Sequence, residues 1–316
     1  MTNRPNIIVI MPDQQRADTL GCYGNKFTET PNLDRLAGRG VVFDRAFTPY
    51  PICTPARCTM WTGMYPHGHG ITWNFYGVDN LFEEQATQKT TVFDLLKDAG
   101  YLNAYFGKWH LGEKPNPAFD VWDAFNSRGG HWVDGRQSFQ DGVWKPAAQT
   151  DACIAFLESE QAQSDQPFIM VQGYYPPHQP YTAPLEFYEP YRGKGVPCAG
   201  YYASVTGLDF HTGRILETLE RTGLKDNTVF IYLSDHGDTF NYREGSKNKF
   251  VCHDDAIRIP FLLSWPNGAP SGTRVKAPIG LQDLAPTILD LADAETPDWM
   301  HGRSILPLLS GDDAGW

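Results

Sequence analysis

Short apolar runs rich in β-branched and aromatic residues recur between longer segments of helical periodicity, and this alternation constrains the fold of the chain more than any other feature. Such runs are too uniformly apolar to leave one face in water, so they predict a mainly parallel sheet covered by helices on both faces. The expected strands are 6–10, 41–43, 101–106, 168–172, 229–233 and 261–264. The expected helices are 31–39, 55–62, 91–99, 150–160, 201–222 and 284–292. In sheets of this kind ligands gather at the carboxyl ends of the strands. Asp13 and Gln14 follow the first run, Lys108 and His110 the third, His178 lies beyond the fourth, and Asp235-His236 follow the fifth. Four separate strands therefore bring polar and ionisable groups to one edge.

With 316 residues, 41% of them hydrophobic, the chain can bury a large core, and one α/β domain over 1–316 is expected. The formal net charge of −11 argues against general affinity for nucleic acid or an anionic membrane, so positive charge for an anionic substrate must be concentrated locally. The apolar run from Ile7 to Met11 is too short for a signal-peptide core, and no stretch has the length to span a bilayer. Cysteines 22, 53, 58, 153, 198 and 252 show neither paired metal-site spacing nor a compact disulfide framework. A cytoplasmic, reduced protein is the default expectation, replaced by a secreted or periplasmic one if a leader has been removed.

Two local patterns carry chemistry. In Cys53-Thr54-Pro55-Ala56-Arg57, Pro55 suits the first turn of a helix with Thr54 as candidate N-cap, which sets Cys53 at the positive end where an anion binds. On these residues alone, Cys53 can equally be a small apolar group beside a helix start. Pro12-Asp13-Gln14 and Ser234-Asp235-His236-Gly237-Asp238 each place a donor pair directly after a strand, as a divalent-metal site needs, although an aspartate there can also simply cap the next helix.

The pattern C-x-P-x-R-x4-T-G, completed by Thr62-Gly63, resembles the sulfatase signature of the alkaline-phosphatase-like superfamily. Gly21-Cys22-Tyr23-Gly24, the segment from Thr30 to Ala37, the segment from Gly107 to Gly112, and Pro176-Pro177-His178 resemble further sulfatase segments in family order. The resemblance implies an α/β sandwich followed by a smaller C-terminal subdomain, and a cysteine that a maturation enzyme oxidises to formylglycine. It makes Asp13, Gln14, Asp235 and His236, with residue 53, the ligands of one divalent cation. Arg57 would hold the formylglycine, and Lys108 would bind a sulfate oxygen. His178 and Lys249 would bind the ester and protonate its leaving oxygen, His178 first, with Lys247 the competitor of Lys249. His110 would then take a proton from residue 53 so that sulfate leaves.

The chain departs from the family pattern in carrying Gln14 where many sulfatases have a second aspartate and His236 where many have asparagine. Calcium is the first expectation for the cation, and the imidazole nitrogen makes manganese a rival, with magnesium a third choice. The same variation occurs in choline-sulfatase-like enzymes and in phosphonate or phosphate monoester and diester hydrolases of the superfamily; phosphonate monoester or phosphodiester hydrolysis is the alternative to the first expectation, hydrolysis of a carbohydrate, aryl or choline-like sulfate monoester. A non-catalytic binding module that retains Cys53 as a thiol is the alternative outside catalysis. The segment from His301 to Leu309 resembles the point where the family's main domain hands over to its C-terminal subdomain, which is expected to be largely missing. Expected partners are a small-molecule or saccharide sulfate ester and a formylglycine-generating or anaerobic sulfatase-maturating enzyme. Self-association through the truncated edge is a further expectation. His67, His69 and His131 are candidates for the site edge, Trp73, Phe75 and Tyr76 for a substrate platform, and Tyr174, Tyr175, Gln179 and Tyr181 for contacts around His178.

Overall fold

The run from Ile7 to Met11 is wholly buried, and its alternation divides the core in two. Ile7, Val9 and Met11 enter one apolar cluster and Ile8 and Ile10 the other, as the side chains of a strand covered on both faces must. These features belong to a computed structural model that describes residues 4–127, 130–135, 142–241, 248–311 and 316. The strands are β1 (Asn6–Asp13), β2 (Val41–Phe43), β3 (Ala46–Phe47), β4 (Leu102–Lys108), β5 (Val121–Phe125), β6 (Phe168–Pro177), β7 (Thr228–Leu233), β8 (Arg258–Ile259), β9 (Phe261–Ser264), β10 (Thr273–Val275) and β11 (Ile279–Gly280). Eight of them form one sheet in the order β10-β2-β9-β7-β1-β6-β4-β5, and β11-β3-β8 form a small second sheet. In the large sheet every pair is parallel except those made by β9, which runs against β7 and β2.

Helices cover both faces. On one side lie α1 (Pro31–Arg39), which contributes Leu33 and Leu36 to the core, and later in the chain two longer helices; on the other lie α2 (Cys53–Thr62) and α3 (Val92–Asp98), with Ala56, Met60, Phe93 and Leu96. The longer helices are α4 (Lys145–Leu157), through Cys153 and Phe156, and α5 (Ala199–Thr222), through Val205, Leu208, Ile215 and Leu219. A further helix, α6 (Leu284–Leu291), returns to the side of α2 through Ile288 and Leu289. The architecture is the expected mainly parallel sheet between helices. Among the described residues no helix is long and apolar enough to cross a membrane.

Two boundaries differ for physical reasons. Helix α4 begins five residues before the expected 150, because Pro146 sits in its first turn, where a missing N–H costs nothing, rather than breaking it. Strand β5 was not among the expected strands: it is an edge strand that pairs only with β4, half-exposed and interrupted by Asp123, so it lacks a continuous apolar run. For function the important feature is the adjacency of β7, β1, β6 and β4. Their carboxyl ends, at Leu233, Asp13, Pro177 and Lys108, lie side by side at one edge of the sheet.

Candidate active site

Strand β1 runs through Asp13 and then turns sharply, for Gln14 has a φ of 69°, a left-handed conformation that non-glycine residues seldom adopt. The turn aims the Gln14 N–H at Asp235 Oδ1 (3.0 Å) and its carbonyl at the hydroxyl of Tyr201, which donates at 2.7 Å. Asp235 and His236 leave β7 beside it. His236 Nδ1 stands 2.8 Å from the carbonyl oxygen of Gly237, which can only accept, so Nδ1 carries a hydrogen and Nε2 is the ring nitrogen that faces inward. That Nε2 lies 3.3 Å from Cys53 Sγ, 4.0 Å from Asp13 Oδ1 and 3.9 Å from Asp235 Oδ1. One ligand atom from each of Asp13, Cys53, Asp235 and His236 lies within 4.8 Å of all the others, and all four residues are buried.

Such crowding of lone pairs is unfavourable unless cations face it. Arg57, wholly buried on α2, covers the outer oxygens: Nη2 donates to Asp13 Oδ2 at 3.0 Å, Nε to Asp235 Oδ2 at 3.1 Å, and Nη1 to the Lys108 carbonyl at 2.5 Å. Lys108 Nζ adds 2.6 Å to Asp13 Oδ2 and sits 4.4 Å from the Tyr175 ring centre. The inner oxygens are left pointing at His236 and Cys53, so the donor set of two carboxylates and an imidazole fits one divalent cation. Gln14 Nε2 is held by Asp238 Oδ2, which also accepts from the hydroxyl of Tyr181, so Oε1 is the atom that Gln14 could offer to such a cation.

The charges follow from this packing. Burial and the neighbouring Cys53 raise the Asp13 carboxyl, yet Lys108 and Arg57 hold it well below the usual range. Burial and the neighbouring Asp13 push Asp235 up to about 6. Burial also opposes ionisation of Cys53, but Lys108, Lys249 and His236 hold its thiol well below the ordinary value. Residue 53 thus sits where a negative sulfur or oxygen is favoured.

Helix α2 supplies Cys53 as its first residue, with Ile52 as N-cap, so the expected capping role of Thr54 does not hold. Thr54 is one turn-position inside: its N–H donates to Asn74 Oδ1 at 3.0 Å and its hydroxyl to the His110 carbonyl at 3.3 Å. A side chain from a separate loop does the capping. Above Cys53 opens a cavity of about 290 Å³ lined by Asn74, Tyr76, Lys108, His110, Ser127, Tyr175, His178, Gln179, Asn248 and Lys249.

Lys249 Nζ is the hub of that cavity, donating to Gln14 Oε1 (2.9 Å) and Cys53 Sγ (3.3 Å) and lying 3.1 Å from His178 Nε2. His178 Nδ1 meets the carbonyl of Gln179 at 2.9 Å and must bear a hydrogen, so Nε2 accepts from the lysine and the imidazole is neutral. The proton shared by this pair therefore rests on Lys249. His110, at φ 60°, is buried with neither ring nitrogen hydrogen-bonded, and burial, aided by Lys108, lowers its pKa to about 4. It is a neutral base at physiological pH. Lys247 lies outside the described residues.

The other candidates divide. Tyr175 and Gln179 line the cavity, whereas Tyr174 turns away to Thr150 (2.6 Å) and Tyr181 is committed to Asp238. His131 lies behind Tyr175, with ring centres 5.2 Å apart. His67 clusters with Tyr65 and His301, ring centres 5.8 and 5.4 Å away, outside the cavity lining. His69 is not at the site edge either: it is buried beneath α2, its Nε2 3.0 Å from Thr59 Oγ1 and its Nδ1 accepting from the Ile71 N–H at 3.1 Å. Asn74, Ser127, Asn248 and Asp238 escape the sequence reading, since lone polar residues in loops give no periodic or motif signal, although Asp238 stands within the Asp-His-Gly-Asp run.

Two expectations arise here. Burial, with His301 and His67 adding to it, lowers the pKa of His69 from 6.5 to about 4, so the folded state resists its protonation. The associated stability is present above pH 6.5 and is lost as pH falls towards 4, at a cost of about 3 kcal/mol. Urea midpoints measured from pH 7 to pH 4 should fall less steeply for His69→Gln than for the native chain; identical slopes would exclude this account. Second, Asp238→Ala removes the oxygen that accepts from both Gln14 Nε2 and the Tyr181 hydroxyl and so frees the Gln14 amide. Calorimetric affinity for the cation should fall by about 10- to 100-fold, and an unchanged affinity would rule out positioning by Asp238.

Comparison with known proteins bears on this geometry. A family model described as Sulfatase matches residues 5–294. An ulvan-active sulfatase of Formosa agariphila is 30% identical, the alignment covering 98% of this chain and 66% of that protein. An N-acetylglucosamine-6-O-sulfatase of Bacteroides thetaiotaomicron is 25% identical over 98% of this chain and 72% of its own length. Among solved structures, the putative sulfatase yidJ from Bacteroides fragilis superposes with a TM-score of 0.85 at 29% identity, covering 99% of this chain and 79% of that one. The phosphonate monoester hydrolase of Agrobacterium radiobacter shares the fold, with a TM-score of 0.82 at 20% identity over 99% of this chain and 79% of its own.

Proposed function

This chain belongs to the sulfatase family, and from that premise we propose that it hydrolyses an organic sulfate monoester at residue 53 after Cys53 has been converted to formylglycine. The observation that carries the reading is the convergence on Cys53 Sγ of His236 Nε2 and Lys249 Nζ, each at 3.3 Å, and Asp13 Oδ1 at 3.4 Å, on the floor of a cavity. A divalent cation held by Asp13, Gln14, Asp235 and His236, calcium first and manganese or magnesium as rivals, would lower the pKa of a hydroxyl at residue 53 and so favour the nucleophile.

The remaining work falls to side chains. Lys108 and Lys249 present two ammonium groups to the oxygens of a singly charged sulfate ester, in a cavity otherwise lined by neutral groups. Arg57 neutralises the carboxylates behind the site and fixes their inner oxygens. The leaving alcohol oxygen takes a proton from the Lys249–His178 pair, with Lys249 the first holder and His178 the relay. His110 takes a proton from residue 53 in the second half of the reaction, a role suited to an imidazole that is neutral and unpartnered. The relatives named for ulvan and for N-acetylglucosamine 6-O-sulfate support a saccharide ester as substrate. A formylglycine-generating or anaerobic sulfatase-maturating enzyme is the partner this chemistry requires.

Phosphodiesters and phosphonate monoesters can also present a single negative charge, and the amide and imidazole donors of Gln14 and His236 favour that rival reading. Rates on aryl sulfate and on aryl phosphate diester, measured with one preparation, decide between them. The reading requires the sulfate rate to dominate; a dominant diester rate would overturn it.

A further inference from the structure

The cavity of about 290 Å³ has room for a sulfate group and part of the group that bears it, so the rest of a substrate must emerge at its mouth. Three large aromatic side chains at or next to cavity-lining positions stand partly in water: Trp73 and Tyr76 are each 53% exposed and Phe250 is 41% exposed. Tyr76 lines the cavity and packs on His110 with ring centres 5.5 Å apart. Trp73 precedes the cavity residue Asn74, Phe250 follows the cavity residue Lys249, and their rings meet edge to face at 5.4 Å. Tyr50 supports Phe250 from behind at 5.6 Å.

Phe250 is held at φ 67°, where a bulky residue is strained, and its N–H donates to the Pro51 carbonyl at 3.1 Å. Strain that keeps an aromatic ring half in water gains nothing for the core. Phe75, by contrast, packs against the core and takes no part. The cavity itself adds Asn74, Ser127, Gln179 and Asn248, neutral hydrogen-bonding groups without a further charge. Apolar faces and neutral hydrogen-bonding groups together match a pyranose, which has an apolar C–H face and a ring of hydroxyls.

We propose that Trp73, Tyr76 and Phe250 form a platform on which the pyranose ring of a sulfated saccharide stacks while its sulfate lies at residue 53. The inference rests on the sulfatase reading and adds to it the residues that select a sugar over a small alkyl ester.

Binding to the unmatured chain, which keeps the Cys53 thiol and cannot turn over, tests it by calorimetry. The probes are methyl pyranoside monosulfates substituted at O2, O3, O4 or O6, with methyl sulfate as the ring-free control. Trp73→Ala and Phe250→Ala should each weaken the best pyranoside sulfate by about tenfold or more, while methyl sulfate stays within about twofold, which also shows that the variants fold. Pyranoside sulfate affinity unchanged in both variants would overturn the platform and leave the sulfatase reading standing. Failure of the native chain to bind any of the sulfate esters would instead count against that reading, and the platform would fall with it.

Discussion

Cys53→Ala is expected to lower sulfate monoester turnover by about 10⁵-fold or more, the scale on which enzymes lose activity when the nucleophile is removed. The structure gives no reason for the variant to unfold. Cys53 Sγ contacts Asp13, His236 and Lys249, all of which keep other partners: Asp13 holds Arg57 and Lys108, His236 holds Gly237, and Lys249 holds Gln14 and His178. The measurement is initial-rate hydrolysis of an aryl sulfate by matured native and variant chains, with melting curves as the folding control. A folded variant retaining more than about a tenth of the native rate would show that residue 53 is not the nucleophile, and would favour a thiol-retaining relative or a binding module.

Arg57→Ala has the largest expected effect on stability. The guanidinium spans two buried carboxylates and a strand-end carbonyl, and its removal leaves Asp13 with Lys108 alone and Asp235 with no cation on its outer oxygen. Stranding one member of a buried charge network costs about 3–5 kcal/mol, which for a domain of this size lowers the melting temperature by about 10 °C. Arg57→Lys should recover little, since a single ammonium cannot fork to three acceptors. Thermal unfolding without added metal isolates the term. A melting temperature within about 2 °C of native would contradict the account.

The elements legible in the sequence are those whose local chemistry and tertiary role agree. Helix α1 carries its own punctuation, Pro31 at the start and Gly40 past the end, and its observed limits coincide with the expected 31–39. The four site-bearing strands were legible because burial on both faces makes them continuous apolar runs. Edge and two-residue strands were not, because β5 keeps polar residues in water and β3, β8 and β11 owe their pairing to neighbours distant in the chain.

The site shows the same division. Asp13, Gln14, Lys108, His110, His178, Asp235 and His236 come together at the sheet edge that the strand-end rule indicated, joined there by Cys53, Arg57 and Lys249, which only the family resemblance had brought to the site. What no motif conveys is the sense of a hydrogen bond. The Gly237 carbonyl fixes a hydrogen on His236 Nδ1, and the Gln179 carbonyl does the same for His178 and leaves its Nε2 facing Lys249. Asn74 at the N-terminus of α2 and Asp238 behind Gln14 act through loop geometry that only the folded chain reveals.

Residue 53 carries the whole account, and its chemical state can be read directly. Every residue of α2 is buried, so on the proposed reading conversion of Cys53 would precede folding of this segment, and the chain is to be produced together with a maturation enzyme rather than treated afterwards. The decisive measurement is the mass of the peptide containing Cys53 from such cells. The account predicts a peptide in which the CH2–SH of residue 53 has become an aldehyde or its hydrate. An intact thiol, with a control sulfatase fully converted in the same cells, would contradict it.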